Sequence, residues 1–510
     1  MGTPRRTVPP SHRVVVVGAG LAGLTAALHL RGAGCEVTVV EREPFPGGRA
    51  GRLDLPGKGQ HADRGYRLDT GPTVLTMPDL LEAPLAAVGE KLGDRLDLVR
   101  LDPAYHARFA DGSAIDVHTD AEAMEQELRE KVSAADAAGY RRLRDWLGEL
   151  YRVQMATFID ANFDSPLDVL SRDLARLGVL GGFGRLGPRI GRFLHDERLR
   201  RIFSFQALYA GVPPARALAA YAVIAYMDTI AGVYFPRGRD GAPGGVRALP
   251  QAYADAAADA GVELRLGTEV TELEWVGSRV TAVVAEGERI PADAVVLTPD
   301  LPVVHRLLGR TPRRGVPLRW SPSAFVVHLG LDRPQPDLGH HTISFGDAWA
   351  STFDEIITEG RLMSDPSLLV TRPTATDPAL APAGGDYVSV LAPCPNTDRA
   401  PDLDWDRVAP RYRDELLTVL AARGIALDPG AVVAEHRISP ADWARLGMAA
   451  GTPFSAAHTF AQTGPFRSGN LPRGVDNVVL AGCGTTPGVG VPTVVVSGKL
   501  AAQRIVGDAA

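Results

Sequence analysis

Arg13-Val-Val-Val-Val-Gly-Ala-Gly-Leu-Ala-Gly-Leu-Thr-Ala-Ala-Leu-His-Leu30, followed by Glu36-Val-Thr-Val-Val-Glu41, decides the reading of this chain. The run Val14 to Val17 predicts a parallel strand that is apolar on both faces. Gly18, Gly20 and Gly23 then make G-x-G-x-x-G at the turn into a helix that begins at Leu21 and Ala22. Gly18 permits the tight turn, Gly20 lets backbone approach a pyrophosphate, and Gly23 lets helix and strand pack closely. The helix start adds free N–H groups and positive dipole for the phosphates. A second strand ends in Glu41, with Arg42 beside it, where a carboxylate can accept hydrogen bonds from a ribose. Strand before, helix after and acid at this distance predict dinucleotide binding.

Working outward, Pro46-Gly47-Gly48-Arg49-Ala50-Gly51 is a second glycine loop. Its arginine is suited to pairing with a diphosphate. A nicotinamide dehydrogenase has no need of such a loop, whereas flavoproteins that enclose FAD commonly carry one. Gly71-Pro72 fixes a further turn, and Thr73 offers a hydroxyl to a ligand.

The 510 residues predict two or more lobes with ample core. With 45% hydrophobic residues and a net charge of -6, the chain reads as globular and not as a nucleic-acid binder. Its three cysteines, Cys35, Cys394 and Cys483, form no C-x-x-C, which fits a reducing cytosol better than a disulfide framework or zinc site. The first dozen residues lack an apolar core and read as a loose tail. Val478 to Gly498 is uncharged and long enough to cross a bilayer, but its five glycines and two prolines predict a strand, a glycine loop and a short helix.

The middle of the chain is mixed. Asp120 to Leu150 is helical and charged, and predicts a solvated helical pair or a cap; Ser165-Pro166 begins another helix. Arg172 to Arg201 holds eight arginines against three acids, interleaved with Leu, Phe and Ile, and suits a face that docks on anionic lipid or a solvated basic face with a few core contacts. Ile202 to Phe235 is apolar and aromatic, suited to core or to the lining of a tunnel. From Val262 to Thr298 the period changes to that of strands: one into the parallel sheet, a small antiparallel meander, and a return. Val270 stands where backbone can meet an adenine edge. Ser323 to Leu331 and Asp386 to Ala392 predict the sheet of a second lobe. Between them, His340 and His341 are expected to point in different directions and not to share a metal. Near the end, Gly482, Gly484, Gly488 and Gly490 let a flat ring lie against bare backbone. Val491, Pro492 and Thr493 open a helix whose positive end would face that ring.

These motifs resemble the bacterial-type phytoene desaturases, FAD-dependent enzymes of carotenoid biosynthesis. The resemblance is carried by Val17-Gly-Ala-Gly-Leu-Ala-Gly-Leu, Pro46-Gly-Gly-Arg-Ala, Leu68-Asp-Thr-Gly-Pro-Thr-Val, Gly232-Val-Tyr-Phe-Pro-Arg-Gly, Leu338-Gly-His-His-Thr-Ile-Ser-Phe-Gly, Thr376-Asp-Pro-Ala-Leu-Ala-Pro, Leu391-Ala-Pro-Cys-Pro-Asn and Gly484-Thr-Thr-Pro-Gly-Val-Gly-Val-Pro. It implies an α/β fold with a Rossmann-like, amine-oxidase-like FAD domain, a mixed-sheet substrate domain and a helical membrane-facing subdomain. Expected boundaries are 12–105, 235–300 and 470–510 for FAD, 106–234 for the helical region and 301–469 for the substrate domain. It also implies a peripheral protein on the cytoplasmic membrane, with a carotenoid substrate and oxygen or a quinone as electron acceptor; an oligomer is compatible with the sequence.

FAD would be held by Gly18, Gly20, Leu21, Ala22, Gly23, Glu41, Arg42, Gly48, Arg49, Gly71, Pro72, Thr73, Val270, Gly482, Gly490, Val491, Pro492 and Thr493. Three departures stand out. Thr486 replaces the histidine of Thr-His-Pro-Gly, the Arg239–Pro243 stretch splits a Pro-Arg-Gly-Gly run, and Ser468 replaces the proline of Phe-Arg-Pro. The first two are expected to touch the flavin-facing cavity. Asp69, Arg141 and His340 are conceivable proton acceptors, and the sequence assigns none of them. The substrate remains open between phytoene, a C30 relative and a later carotenoid. An oxidase of polar amines and a non-catalytic isoprenoid carrier such as the GDP-dissociation inhibitors are the competing readings.

Overall fold

The computed structural model describes residues 12–57, 65–312 and 317–507; the N-terminal tail read from the sequence lies outside them. Its central layer is a five-stranded parallel sheet of β1 (Arg13–Val17), β2 (Glu36–Val40), β3 (Glu263–Arg265), β4 (Ala294–Leu297) and β5 (Val478–Leu480). The order is β5-β4-β1-β2-β3, so the valine strand β1 lies in the middle, with Val15 opposite both Val295 and Thr38. Val14, Val15, Val16 and Val17 are all buried, as a strand covered on both faces requires. The sheet is assembled from three distant stretches of chain, and its carboxyl ends meet at the glycine turn, where open α/β sheets bind ligands.

Helix α1 (Leu21–Gly32) leaves that turn and packs against the last helix, α4 (Val491–Val506). They approach closely because Gly498 has no side chain: a Cβ there would lie 2.3 Å from the Ala22 carbonyl oxygen. The segment read as a short helix after the final loop is thus a full sixteen residues. No helix among the described residues is long and apolar enough to cross a membrane. Val270–Val276, Arg279–Ala285 and Glu288–Pro291 form the antiparallel meander.

The second lobe is a seven-stranded mixed sheet, in the order Val432–Ile438, Ser323–Leu331, Asp386–Cys394, Leu368–Thr371, His341–Phe345, Tyr105–Phe109 and Ala114–Val117. Its last two strands come from the stretch assigned to the helical region. The expected cut at residue 105/106 therefore falls inside a strand, and 106–234 is not helical throughout. Helix α2 (Ala134–Gln154) also differs from the solvated pair expected of it: Tyr140, Leu143, Trp146, Leu147 and Leu150 form a buried face. Ser165 caps only a short 3-10 turn, Pro166–Val169, before α3 (Arg172–Val179).

Candidate active site

One cavity of about 1190 Å³ collects seventeen of the eighteen residues expected to hold FAD; only Gly23 is not on its wall. Gly23 works from behind. A Cβ there would lie 2.0 Å from the Gly18 carbonyl oxygen, and one on Gly18 would lie 2.3 Å from Thr298 Oγ1. Gly18 also has a φ of +104°, open to glycine and costly for other residues. The second glycine loop folds onto the first: Gly47 donates to the Ala19 carbonyl at 2.9 Å, and Gly48 faces Gly20.

Glu41 is tied into the turn. Its two oxygens accept from the backbone N–H of Ala19 at 2.7 Å and of Glu43 at 2.9 Å, and each keeps a lone pair for a ribose hydroxyl. Arg42 is held by Glu43 and by the Leu446 carbonyl at 3.1 Å. Arg49 pairs with Asp300, while its buried Nε has no hydrogen-bond partner among the described residues. Thr73 accepts through its carbonyl from His341 Nε2 at 3.2 Å.

On the far wall, Gly482, Gly488 and Gly490 take φ of 109°, 137° and 128°, which bares the backbone of the final loop. Buried Arg467 holds that loop from behind, donating to the carbonyls of Cys483 at 2.6 Å and Thr485 at 3.0 Å. Helices α1 and α4 begin at Gly20 and Gly490, neither with a side-chain cap, so both present first-turn N–H groups to the same cavity. A cradle cleared of Cβ atoms, two open helix starts and an unpartnered guanidinium nitrogen fit a flavin dinucleotide.

Beyond the glycine loops the same cavity becomes apolar. Tyr221, Val223, Ile224 and Met227 line it on one side, and Val326, Leu369 and Leu391 of the large sheet on the other. The stretch Ile202 to Phe235 thus supplies tunnel wall, as its composition suggests. The wall also includes Leu174, Leu177, Phe183, Phe460 and Phe466, and of these Phe183, Phe460 and Phe466 are exposed to solvent. Leu167, Leu170 and Val179 are exposed as well, and the Gly464–Phe466 turn packs near the Pro166–Val169 turn.

The arginine-rich stretch is largely engaged within the protein, contrary to its reading as a free basic face. Arg176 pairs with Glu149, Arg198 with Asp196 and Arg201 with Glu197, while Arg189 lies over the Trp146 ring at 5.2 Å.

None of the three conceivable proton acceptors lines the cavity. Both oxygens of Asp69 accept backbone N–H groups, from Val246 at 2.9 Å and Arg247 at 3.3 Å; burial pushes its pKa up to about 6 against the pull of those donors. Arg141 pairs with Glu125 on the outside of α2. His340 bonds Thr376 Oγ1 at 2.6 Å, and its ring lies 4.5 Å from that of His341. The two rings do not diverge as expected, because His340 precedes the strand and escapes its pleat. Burial holds both imidazoles below the usual histidine range.

Of the departures, Thr486 lines the cavity, but the 239–243 stretch does not. It is an exposed turn closed by Asp377, which accepts from Gly238 at 3.0 Å and Gly244 at 2.8 Å. Residues missed in the sequence are Thr298, Asp300, Arg467 and the cavity-lining Asp228. Thr298-Pro299-Asp300 directly follows β4, the position where such sheets bind ligands, and that was the available signal.

The sequence matches the family described as flavin containing amine oxidoreductase over residues 21–506. It is 66% identical over 499 residues to a protein of Streptomyces griseus named phytoene dehydrogenase, with 98% of this chain and 96% of that one covered. It is 36% identical over 501 residues to a zeta-carotene-forming phytoene desaturase of Myxococcus xanthus, covering 97% and 93%. Among solved structures, an oxidoreductase from Methanosarcina mazei aligns over 96% of this chain and 99% of its own, with a TM-score of 0.60 at 18% identity, a likeness of fold. With the glycine cradle and its relatives in agreement, the chain belongs to the flavin containing amine oxidoreductase family and, within it, to the phytoene desaturases.

Proposed function

We propose that this chain is an FAD-dependent oxidoreductase that desaturates phytoene, or a polyene close to it, at allylic CH–CH bonds while docked on a membrane. The carrying observation is one continuous cavity whose wall joins the glycine loops to a run of apolar side chains and includes the exposed Phe183, Phe460 and Phe466. Bound FAD supplies the hydride acceptor that no side chain offers. Gly18, Gly20, Leu21, Ala22, Glu41, Arg42, Gly48 and Arg49 would hold its dinucleotide part, with Gly23 packing behind. Gly71, Pro72, Thr73, Val270, Gly482, Gly490, Val491, Pro492 and Thr493 complete the enclosure. Oxygen or a quinone would reoxidise it.

A long hydrocarbon gains about 0.8 kcal/mol per CH₂ on leaving water, so it resides in the bilayer. Transfer from lipid into an apolar tunnel gains little more, and tunnel shape must therefore select the substrate. The test is incubation of the FAD-loaded protein with phytoene in vesicles, with putrescine as the competing substrate. New visible absorption bands from a lengthened polyene support the reading; amine oxidation without them overturns it.

Docking is expected to rest on the apolar rim more than on the arginines. A fully buried Leu or Phe is worth about 1.5–3 kcal/mol, so a third of that from each of four side chains amounts to roughly a hundredfold in affinity. Replacing Leu167, Leu170, Phe460 and Phe466 together by serine should weaken vesicle binding about a hundredfold, measured by sedimentation with vesicles. Unchanged binding would move the docking face elsewhere.

A further inference from the structure

We propose that Asp228 is the proton acceptor of the desaturation, a carboxylate standing in the wall of the apolar tunnel. This rests on the desaturase reading above. Asp228 lies in a single π-helical turn, Met227–Ala231, continuing the short helix Ala222–Tyr226. The residue is only 4% exposed, yet it lines the cavity together with Tyr209, Val223, Ile224 and Met227. It forms no ion pair with any described residue. Its one recorded hydrogen bond is a long one, from Tyr105 Oη at 3.3 Å.

Burying an uncompensated carboxylate in an apolar wall is costly, and a packing role would be served better by a leucine. Burial pushes the Asp228 pKa up to about 7 against the lowering effect of the Tyr105 hydroxyl, so both protonation states are populated near neutrality. Tyr105 links the carboxylate to the dinucleotide end: its ring lies 5.6 Å from that of His341, which donates to the Thr73 carbonyl on the cavity wall. Asp228 is thus connected through Tyr105 and His341 to the Thr73 backbone on the same cavity wall.

The other carboxylates on the wall are engaged, Glu43 by Arg42, Glu269 by Arg306 and Asp442 by Arg445, and burial lowers the pKa of His436. Glu41 accepts two backbone N–H groups, and Asp300 pairs with Arg49. His458 stands at Gly488, but burial and the neighbouring Arg467 guanidinium both oppose its protonation.

The step balances as follows. One allylic C–H bond breaks with hydride passing to the flavin, and the neighbouring C–H bond breaks with its proton passing to an Asp228 oxygen. The electron pair of that second bond becomes the new π bond. The substrate loses two electrons and two hydrogens; bound FAD would supply the acceptor for the hydride, and Asp228 releases the proton it took to water before the next cycle.

The test uses FAD-loaded protein with phytoene in phosphatidylcholine–phosphatidylglycerol vesicles, alongside an infrared titration of the protein itself. Asp228→Asn should keep its FAD and its vesicle binding and lose desaturation by roughly 10²–10⁴-fold. Asp228→Glu should restore part of it. Wild-type kcat should rise with pH through about 7, because the ionised carboxylate is the acceptor. Tyr105→Phe, which removes the stabilising hydrogen bond, should move that limb to higher pH. In the infrared, a protonated-carboxyl band absent from Asp228→Asn should disappear near the same pH, whichever substrate the enzyme takes. The proposal is overturned if Asp228→Asn desaturates within a few-fold of wild type. A wild-type protein that titrates as expected but never lengthens phytoene would instead overturn the desaturase reading.

Discussion

Gly23→Val should yield a colourless protein. The first methyl-sized group at this position meets the Gly18 carbonyl oxygen at 2.0 Å and Thr298 Oγ1 at 3.3 Å. The first of these is backbone and cannot rotate away. Thr298 Oγ1 is itself held, donating to the Val17 carbonyl at 2.8 Å. To admit the side chain, α1 must lift off β1, which opens the turn that Gly18 and Gly20 present to the diphosphate. Overpacking of this kind costs about 1–3 kcal/mol in stability, and the loss of FAD removes the further stabilisation that a tight ligand gives. The check is the ratio of flavin to protein absorbance after purification. Gly469→Ala is the control: that glycine is exposed, has nothing within 4 Å of a new Cβ, and should leave the protein yellow. Full flavin content in Gly23→Val would mean that the turn does not hold the cofactor.

Arg504→Met should be among the most destabilising single changes outside the cavity. Arg504 is 1% exposed on α4, and its guanidinium donates to Asp164 at 2.8 Å and to Asn470 Oδ1 at 3.1 Å. Asn470 in turn donates to Asn162 at 2.7 Å, so one buried cation ties the terminal helix to the segment that precedes the Pro166–Val169 turn. Methionine fills the volume but leaves these acceptors without their charged donor. Removing one partner of a buried pair costs about 3–5 kcal/mol, and the partial exposure of Asp164 places this case at the lower end, about 3 kcal/mol. With about 2.1 cal/mol/K of unfolding entropy per residue, that corresponds to a fall of roughly 3 °C in Tm. Calorimetry on the FAD-loaded protein checks it. An unchanged Tm would show that the cluster contributes nothing net.

The dinucleotide cradle was legible because its determinants are local. Glycine spacing, a valine strand and an acid at the next strand's end can be read without knowing what lies opposite. The same holds for the final loop, where Gly482 and Gly490 adopt the positive φ that their identity permits. What escaped depends on residues distant in sequence. The arginines between 172 and 201 looked free because Glu149, Gly346 and the Trp146 ring are not their neighbours in the chain. Tyr105–Phe109 was cut from the large sheet because its parallel partner, His341–Phe345, comes more than 230 residues later. Asp228 appeared only as an interruption in an apolar run. Periodicity does not predict the π turn that aims it at the tunnel. The exposed apolar cluster escaped for the same reason: Phe466 comes beside the Pro166–Val169 turn only in three dimensions.

The most direct test of the account is anaerobic mixing of the FAD-loaded protein with phytoene in vesicles, followed by flavin absorbance and product chromophore together. If the cavity brings a carotenoid to the flavin, one flavin should bleach for each double bond formed, before any electron acceptor is added. A flavin that stays oxidised while bound to the protein in the presence of phytoene would contradict it.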